Sequence, residues 1–185
     1  MVCFAIAHIF DWQALLDDAK AGEQATARGR ERWLRRQATE SATLLGALLD
    51  LAEAGVAVSM WTAAGRRLDG VPVGIGSDVV VLRDRAEHVL VRTATITMVR
   101  PAPGSALGAA TGDRRPALRV GFVELLDRLV DDRPEVALLF DSGDTLAGTL
   151  VAVGADVLSV QLATGATEVA YASVARCASV RFRSG

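Results

Sequence analysis

The chain has 185 residues, of which 51% are hydrophobic and only 5% aromatic, and its formal net charge is −2. This hydrophobic content excludes a mainly disordered chain, and the charge argues against a strongly basic domain that binds nucleic acid through its overall charge. We expect an aliphatic core of valine, leucine and alanine.

The N-terminal region predicts a helical arm. Met1 to Phe10 is apolar, but it is too short to cross a bilayer and lacks the basic start and cleavage site of a signal peptide, so we expect it to be part of the folded structure. The two cysteines, Cys3 and Cys177, are expected to be reduced thiols of a cytoplasmic protein. Asp11 is a predicted N-cap, with Phe10 and Leu15 placed as a hydrophobic staple. From Gly22 onward the sequence favours one long helix that runs into the next predicted helix.

The most basic stretch of the chain lies in this arm, at RGRERWLRR. Exposed arginines beside an aromatic ring can bind a nucleic-acid backbone and stack on a base. The alternative is a solvated helix with one hydrophobic anchor, in which Glu31 and Glu40 pair with arginines one turn away. The candidate nucleic-acid-binding residues of the arm are Arg28, Arg32, Trp33, Arg35 and Arg36.

The rest of the chain contains an internal repeat. Adding 78 to positions between Leu44 and Leu82 repeatedly reaches an identical residue, as at Gly65 and Gly143 or Asp78 and Asp156. Each copy begins with an amphipathic helix, the first ending at Gly55 and the second running from Pro116 to Pro134. Chance does not explain this spacing, so we predict a duplication.

Five short, β-branched segments follow the helix in each copy. In the first copy they are VAVSMWTA, RLDGVPVGI, DVVVLR, HVLVRT and TITMVR, and in the second VALLF, TLAGTLVAV, DVLSVQL, EVAYAS and CASVRF. This spacing predicts a small, bent antiparallel barrel, with Gly70 and Gly148 permitting a sharp bend or bulge in its second strand.

These elements predict four regions and an α+β fold of two tandem five-stranded antiparallel β-barrels, each preceded by a helix. Residues 1–42 are the helical arm and residues 43–101 the first barrel with its helix. Residues 102–116 read as a linker, in which Arg114 and Arg115 are predicted to be solvated rather than to contact a partner. Residues 117–185 are the second barrel with its helix.

The segments Ala63 to Leu82 and Val89 to Pro101, with SGDTLAGTLVAVGADVLSV and EVAYASVARCASVRF in the second copy, carry a resemblance. Their glycines and hydrophobic positions resemble the Sm/LSm (Hfq-like) family of small, SH3-like β-barrels. The resemblance implies an RNA-binding protein. It also implies that bases are read by an Asn after the Asp of the first motif and by a basic or His-containing second motif.

Neither Asp78 nor Asp156 is followed by Asn, and the second motif is Arg92-Thr93 in the first copy but Ala172-Ser173 in the second. The resemblance therefore places any RNA-contacting edge in the first copy, at Arg83, Arg85, Arg92 and Arg100. The repetition of Asp78 and Asp156 at the same turn favours a structural role in which the carboxylate accepts backbone N–H groups.

The sequence predicts neither an enzyme nor a cofactor. Cys3 and Cys177 match no metal-ligand spacing, His8 and His88 are far apart, and no catalytic signature is present. We expect no metal site, no membrane partner and no small-molecule substrate.

Two hypotheses for function remain. The first is a non-catalytic protein that binds RNA or DNA, and the alternative is a protein–protein assembly module without a nucleic-acid ligand. Because barrels of this type leave strand edges open, we also predict either homo-oligomerisation or coverage of an edge by Met1 to Phe10 or the helical arm.

Overall fold

The computed structural model describes residues 12–105, 114, 119–163 and 168–183. The predicted N-cap Asp11, the apolar start of the chain, Arg115, Pro116 and most of the predicted linker lie outside these residues. Within the described ranges, no helix is both long and apolar enough to cross a membrane.

The N-terminal region forms two helices, α1 (Trp12–Glu40) and α2 (Leu44–Glu53). The prediction of one continuous helix is therefore wrong. The helix is interrupted at Thr43, which has an extended backbone and whose hydroxyl accepts the N–H of Gly46 at 3.0 Å. A threonine in this position caps the start of a new helix, so α2 begins separately from α1.

The first five strands are β1 (Val58–Thr62), β2 (Arg67–Ile75), β3 (Val79–Asp84), β4 (Glu87–Arg92) and β5 (Ile96–Pro101). Helix α3 (Phe122–Val130) follows. The remaining strands are β6 (Glu135–Phe140), β7 (Thr145–Val153), β8 (Val157–Gln161), β9 (Val169–Ser173) and β10 (Cys177–Arg183). Short 3-10 helices at Thr93–Thr95 and Val174–Arg176 precede β5 and β10.

All ten strands belong to one open antiparallel sheet in the order β5-β1-β2-β3-β4-β10-β6-β7-β8-β9. The prediction of two separate, closed five-stranded barrels is therefore wrong. The cause is β10, which pairs with β6 on one side and with β4 on the other. Since this pairing satisfies the N–H and C=O groups that β4 would otherwise expose, the two groups of five strands merge into one sheet.

We call α2 with β1–β5 the first half, and α3 with β6–β10 the second half. Both halves have the same order of elements, and β2 and β7 differ by 78 at each end. The tight turns before these strands contain Gly65 (φ 71°) and Gly143 (φ 89°), a backbone conformation that favours glycine.

At Gly70 and Gly148, where a bend or bulge is predicted, the structure shows close packing rather than a bulge. A Cβ at these positions would lie 2.9 Å from the carbonyl oxygen of Arg83 and 2.3 Å from that of Gln161, respectively. The glycines therefore allow close approach of the neighbouring strand. The register shifts of these strand pairs fall later, between Pro72 and Gly74 and between Leu150 and Ala152.

Two hydrophobic cores lie on the sheet. The first is built only from the first half and packs α2, through Leu48 and Leu51, against strand residues such as Met60 and Val80. The second is centred on Phe122 and Leu126 of α3 but also includes Val79 and Leu90 of the first half. The second core is thus completed by residues of both halves.

Candidate assembly interface

The contact between the halves, which we call the inner joint, is centred on the pairing of β4 with β10. The register places Val91 opposite Ser179, Leu90 opposite Val180 and Val89 opposite Arg181. Val89, Leu90 and Val91 are all buried. Because successive side chains of a strand point to opposite faces, Val89 and Val91 pack in the first core and Leu90 in the second.

The turn before β3 supplies the polar part of the inner joint. The carboxylate of Asp78 accepts the backbone N–H of Phe122 at 2.7 Å, and the N–H of Ser77 donates to the carbonyl of Val120 at 3.0 Å. Gly121, the N-cap residue of α3, has no side chain to cap the helix. A residue of the first half therefore caps the helix of the second half.

Arg92, at the end of β4, crosses the inner joint. Its guanidinium lies 5.6 Å from the centroid of the Phe122 ring and donates to the carbonyl oxygens of Val174 at 2.9 Å and Ala175 at 3.2 Å. These contacts combine a cation–π interaction with two charge-assisted hydrogen bonds. They fix the end of β4 against both α3 and the turn before β10.

Ion pairs close the other end of the inner joint. The carboxylate of Glu87 accepts a hydrogen bond from Arg181 at 2.8 Å and lies 3.5 Å from Arg183. The hydrogen bond from Arg181 is the main reason that the pKa of Glu87 lies below its usual value. The inner joint is thus polar at both ends and apolar between them.

Among the residues that the structure describes, the two outer strands, β5 and β9, each pair with a single strand, β1 and β8 respectively. We call these strands the free edges. They carry exposed apolar side chains, with Met98 48% exposed on β5 and Tyr171 76% exposed on β9. Exposed strand edges with apolar side chains are the usual sites at which another strand can be added.

Equivalent residues are more exposed at the outer ends of the sheet than at the inner joint. Phe122 is fully buried, whereas Leu44, 78 positions earlier, is 44% exposed. Asp78 is half-buried, whereas Asp156 is exposed and its side chain has no hydrogen bond to any described residue. Within the described residues, Leu44 and Asp156 at the outer ends are therefore more exposed than their counterparts at the inner joint.

The nine candidate nucleic-acid-binding residues lie on α1 and on strands or turns of the first half. Arg28, Arg32, Trp33, Arg35 and Arg36 are exposed on α1, with Arg35 paired to Glu31 and Arg36 to Glu40. Arg83 is exposed on β3, Arg85 lies in the turn before β4 with a φ of 56°, and Arg92 is in the inner joint. The guanidinium of Arg100 lies 5.4 Å from the Trp61 ring.

The nucleic-acid-binding role of these residues stays a prediction. Several of them make contacts with other side chains of the protein. Trp61 is held by two guanidinium groups, those of Arg100 and Arg67, and Arg67 also pairs with Asp69. The intrahelical ion pairs of α1 match the solvated-helix alternative. In the predicted linker, Arg114 pairs with Asp50 and Glu53 of α2.

Sequence reasoning missed the part that Leu90 and Phe122 take in the inner joint. A signal was present at β4, where three consecutive apolar residues replace the alternation of a strand with one solvated face. Such a run is typical of a strand covered on both faces. Asp78 was expected to accept a backbone N–H, and it does so across the joint rather than within its own turn.

No protein-family model matches this chain, and no curated protein matches it in sequence. The resemblance to Sm/LSm proteins therefore stays a prediction.

Proposed function

We propose that this chain is a non-catalytic assembly module that joins other protein chains by strand addition at its free edges. The observation that carries the proposal is the inner joint, in which β10 adds to the outer side of β4 and the helix of one half is capped by the other. We also propose that the halves arose by duplication, so the free edges β5 and β9 correspond to the strands joined in the inner joint.

The contacts of the arginines favour assembly over nucleic-acid binding. Arg92 donates to two protein carbonyls, and Arg35 and Arg36 are paired with carboxylates on the same helix. Guanidinium groups engaged in this way are less available to phosphates. Nucleic-acid binding is the second candidate, supported by the 62% exposed Trp33 beside Arg32.

Strand addition can be tested with two peptides and the full chain. A peptide of residues 87–95 reproduces β4 and is expected to add to β5, whereas a peptide of residues 177–183, with Ser for Cys177, reproduces β10 and is expected to add to β9. Hydrogen–deuterium exchange should show new protection confined to residues 96–101 with the first peptide and 169–173 with the second. Scrambled peptides of the same composition are the controls.

If neither free edge gains protection, the proposal of strand addition is overturned.

The nucleic-acid candidate has its own test, in which fluorescence polarisation with RNA and DNA oligomers is measured at two salt concentrations. If binding appears, a chain with Arg28, Arg32, Arg35 and Arg36 replaced by Ala should lose salt dependence, because fewer counterions are released. An unchanged salt slope would remove the arm as the site, and no binding at low salt would remove the candidate.

A further inference from the structure

An open cavity of about 240 Å³ lies beside the free edge β5. It is lined by three leucines of α2, Leu44, Leu45 and Leu48, and by Thr93 and Ala94 of the 3-10 helix that precedes β5. The cavity is therefore bounded on one side by aliphatic side chains and on the other by the turn that leads into the free edge β5.

The same place in the second half is filled. The corresponding residues of the second half lie 78 positions after the leucines and 81 positions after the turn residues. They are Phe122, Val123, Leu126, Val174 and Ala175. The guanidinium of Arg92 lies there, 5.6 Å from the Phe122 ring centroid and hydrogen-bonded to the carbonyls of Val174 and Ala175. The site in the second half is thus filled by Arg92 of β4, the strand that pairs with β10.

The residues that flank the two 3-10 helices have nearly the same backbone conformation. The residues that start the 3-10 helices, Arg92 and Ser173, have φ, ψ values of −69°, 127° and −73°, 123°. The residues that end them, Ile96 and Cys177, have values of −77°, 120° and −76°, 115°. Each 3-10 helix is also closed by the same hydrogen bond, from Ile96 to Thr93 and from Cys177 to Val174. We therefore expect the carbonyl groups of Thr93 and Ala94 to be oriented like those that accept the guanidinium hydrogen bonds in the second half.

We propose that this cavity, which we call the socket, receives the arginine side chain of a partner strand that pairs with β5. The proposal rests on the proposed function, since the arginine arrives on an added strand. The sequence of β4 gives the expected pattern, with consecutive apolar residues Val89 to Val91 followed by Arg92. The aliphatic stem packs on Leu44 and Leu48, and the head donates to the two carbonyls.

The partner that fits the socket is a different protein rather than a second copy. The residue of β9 that corresponds to Arg92 is Ser173, 81 positions later, and a serine is too short to fill a cavity of this size. Helix α2 is also already capped by its own Thr43, whereas α3 depends on Asp78. A second copy would therefore leave the socket empty and add little to the cap.

Arginine suits the socket better than lysine does. Its planar head carries five N–H donors and can reach two carbonyls at once, and it is more weakly hydrated than an ammonium group. Its transfer from water into a site between leucines therefore costs less. The partner strand is expected to carry arginine at this position.

The test compares three peptides of residues 87–95 that differ only at position 92, with Arg, Lys or Ser. Dissociation constants for the full chain are measured by fluorescence polarisation, and the site is located by hydrogen–deuterium exchange. The Arg peptide is expected to bind about tenfold tighter than the Ser peptide, because charge-assisted hydrogen bonds are lost with Ser. The Lys peptide should fall between them.

A chain variant tests the socket from the other side. Ala94→Leu places a larger side chain in the socket at an exposed position and should abolish the preference for Arg. Ala152→Leu, at an exposed alanine of β7 away from the free edges, is the matched control and should keep it. Circular dichroism and the thermal midpoint verify that both variants fold.

The possible results separate the two proposals. Equal binding of the Arg and Ser peptides, with protection of β5, would overturn the socket and leave strand addition standing. Equal binding of the Arg and Lys peptides would overturn the preference for a guanidinium. No binding of any peptide would overturn the socket and remove strand addition at β5.

Discussion

At the scale of single residues, equivalent positions in the two halves have different environments. Asp78 caps α3, whereas the side chain of Asp156 has no hydrogen bond within the part of the chain that the structure describes. Arg92 lies across the inner joint, whereas Ser173 is exposed at the end of β9. These pairs provide matched controls, because each substitution can be made once inside the inner joint and once outside it.

Asp78→Ala should lower the free energy of unfolding by about 1 kcal/mol, the usual cost of removing a helix cap. The physical reason is that the N–H of Phe122, which Asp78 accepts at 2.7 Å, would lose its partner. Urea denaturation monitored by circular dichroism measures the change. Asp156→Ala should leave stability nearly unchanged, and equal losses in the two variants would contradict a capping role that is specific to the inner joint.

Arg92→Ala should destabilise the chain by about 2 kcal/mol, because it removes charge-assisted hydrogen bonds to two carbonyls and the contact with the Phe122 ring. Arg83→Ala is the control, since Arg83 is exposed on the neighbouring strand. Chemical denaturation of the two variants gives the comparison. A loss of RNA binding without a loss of stability would instead assign Arg92 to nucleic-acid recognition.

Burial raises the pKa of the Cys177 thiol to about 12 from an ordinary value of 9.0. Because only the unfolded state ionises between these values, this thiol contributes stability below pH 9 that is lost as pH rises toward 12. In a Cys3→Ser chain, the remaining thiol should react with a disulfide reagent at pH 8 only as fast as the protein unfolds. Labelling that follows thiolate concentration in the folded state would contradict this expectation.

At the scale of elements, local sequence predicted much of the secondary structure. The predicted segment RLDGVPVGI coincides with β2, and TLAGTLVAV coincides with β7, because β-branched residues and turn glycines mark these strands clearly. Helix ends were less predictable. The break before α2 depends on the cap at Thr43, and α3 begins at Phe122 rather than near Pro116.

The joining of the halves was not predicted, because strand order is decided by contacts between residues far apart in sequence. The run Val89 to Val91 shows that both faces of β4 are covered, but it does not show which strand lies beside β4. That choice depends on β10, more than 80 residues away, and on the cap of α3 by Asp78. The inner joint could therefore not be predicted from the sequence, although Asp78 and Arg92 were each candidate residues.

Gly76→Ala tests the close contact between the loop that joins β2 to β3 and the segment before α3. A Cβ on Gly76 would lie 2.2 Å from the carbonyl oxygen of Val120, so the loop must move and the hydrogen bond from Ser77 to Val120 would weaken. We expect a loss of about 2 kcal/mol in unfolding free energy, measured by urea denaturation. Gly154→Ala, where the nearest atom is 3.0 Å away on Val157, should cost less, and the reverse order would contradict this contact.

At the scale of the whole molecule, one open sheet has two free edges that differ in chemistry. A contact between β9 of one copy and β5 of the next would be head-to-tail, and such contacts give rings when the rotation closes and filaments when it does not. The prediction of homo-oligomerisation is untested, and the empty socket gives a physical reason for such self-pairing to be weak. The missing group is an arginine at position 173.

Ser173→Arg should therefore promote self-association. The new side chain would reach from β9 of one copy into the socket beside β5 of another, as Arg92 does in the inner joint, and should tighten association about tenfold through charge-assisted hydrogen bonds. Light scattering over a concentration series measures the effect. Ser173→Lys should produce a smaller shift because an ammonium lacks the planar fork. The double variant Ser173→Arg, Ala94→Leu should return to the mass of the unmodified chain, because the leucine blocks the socket. If the double variant still associates, the arginine does not act through the socket as Arg92 acts in the inner joint.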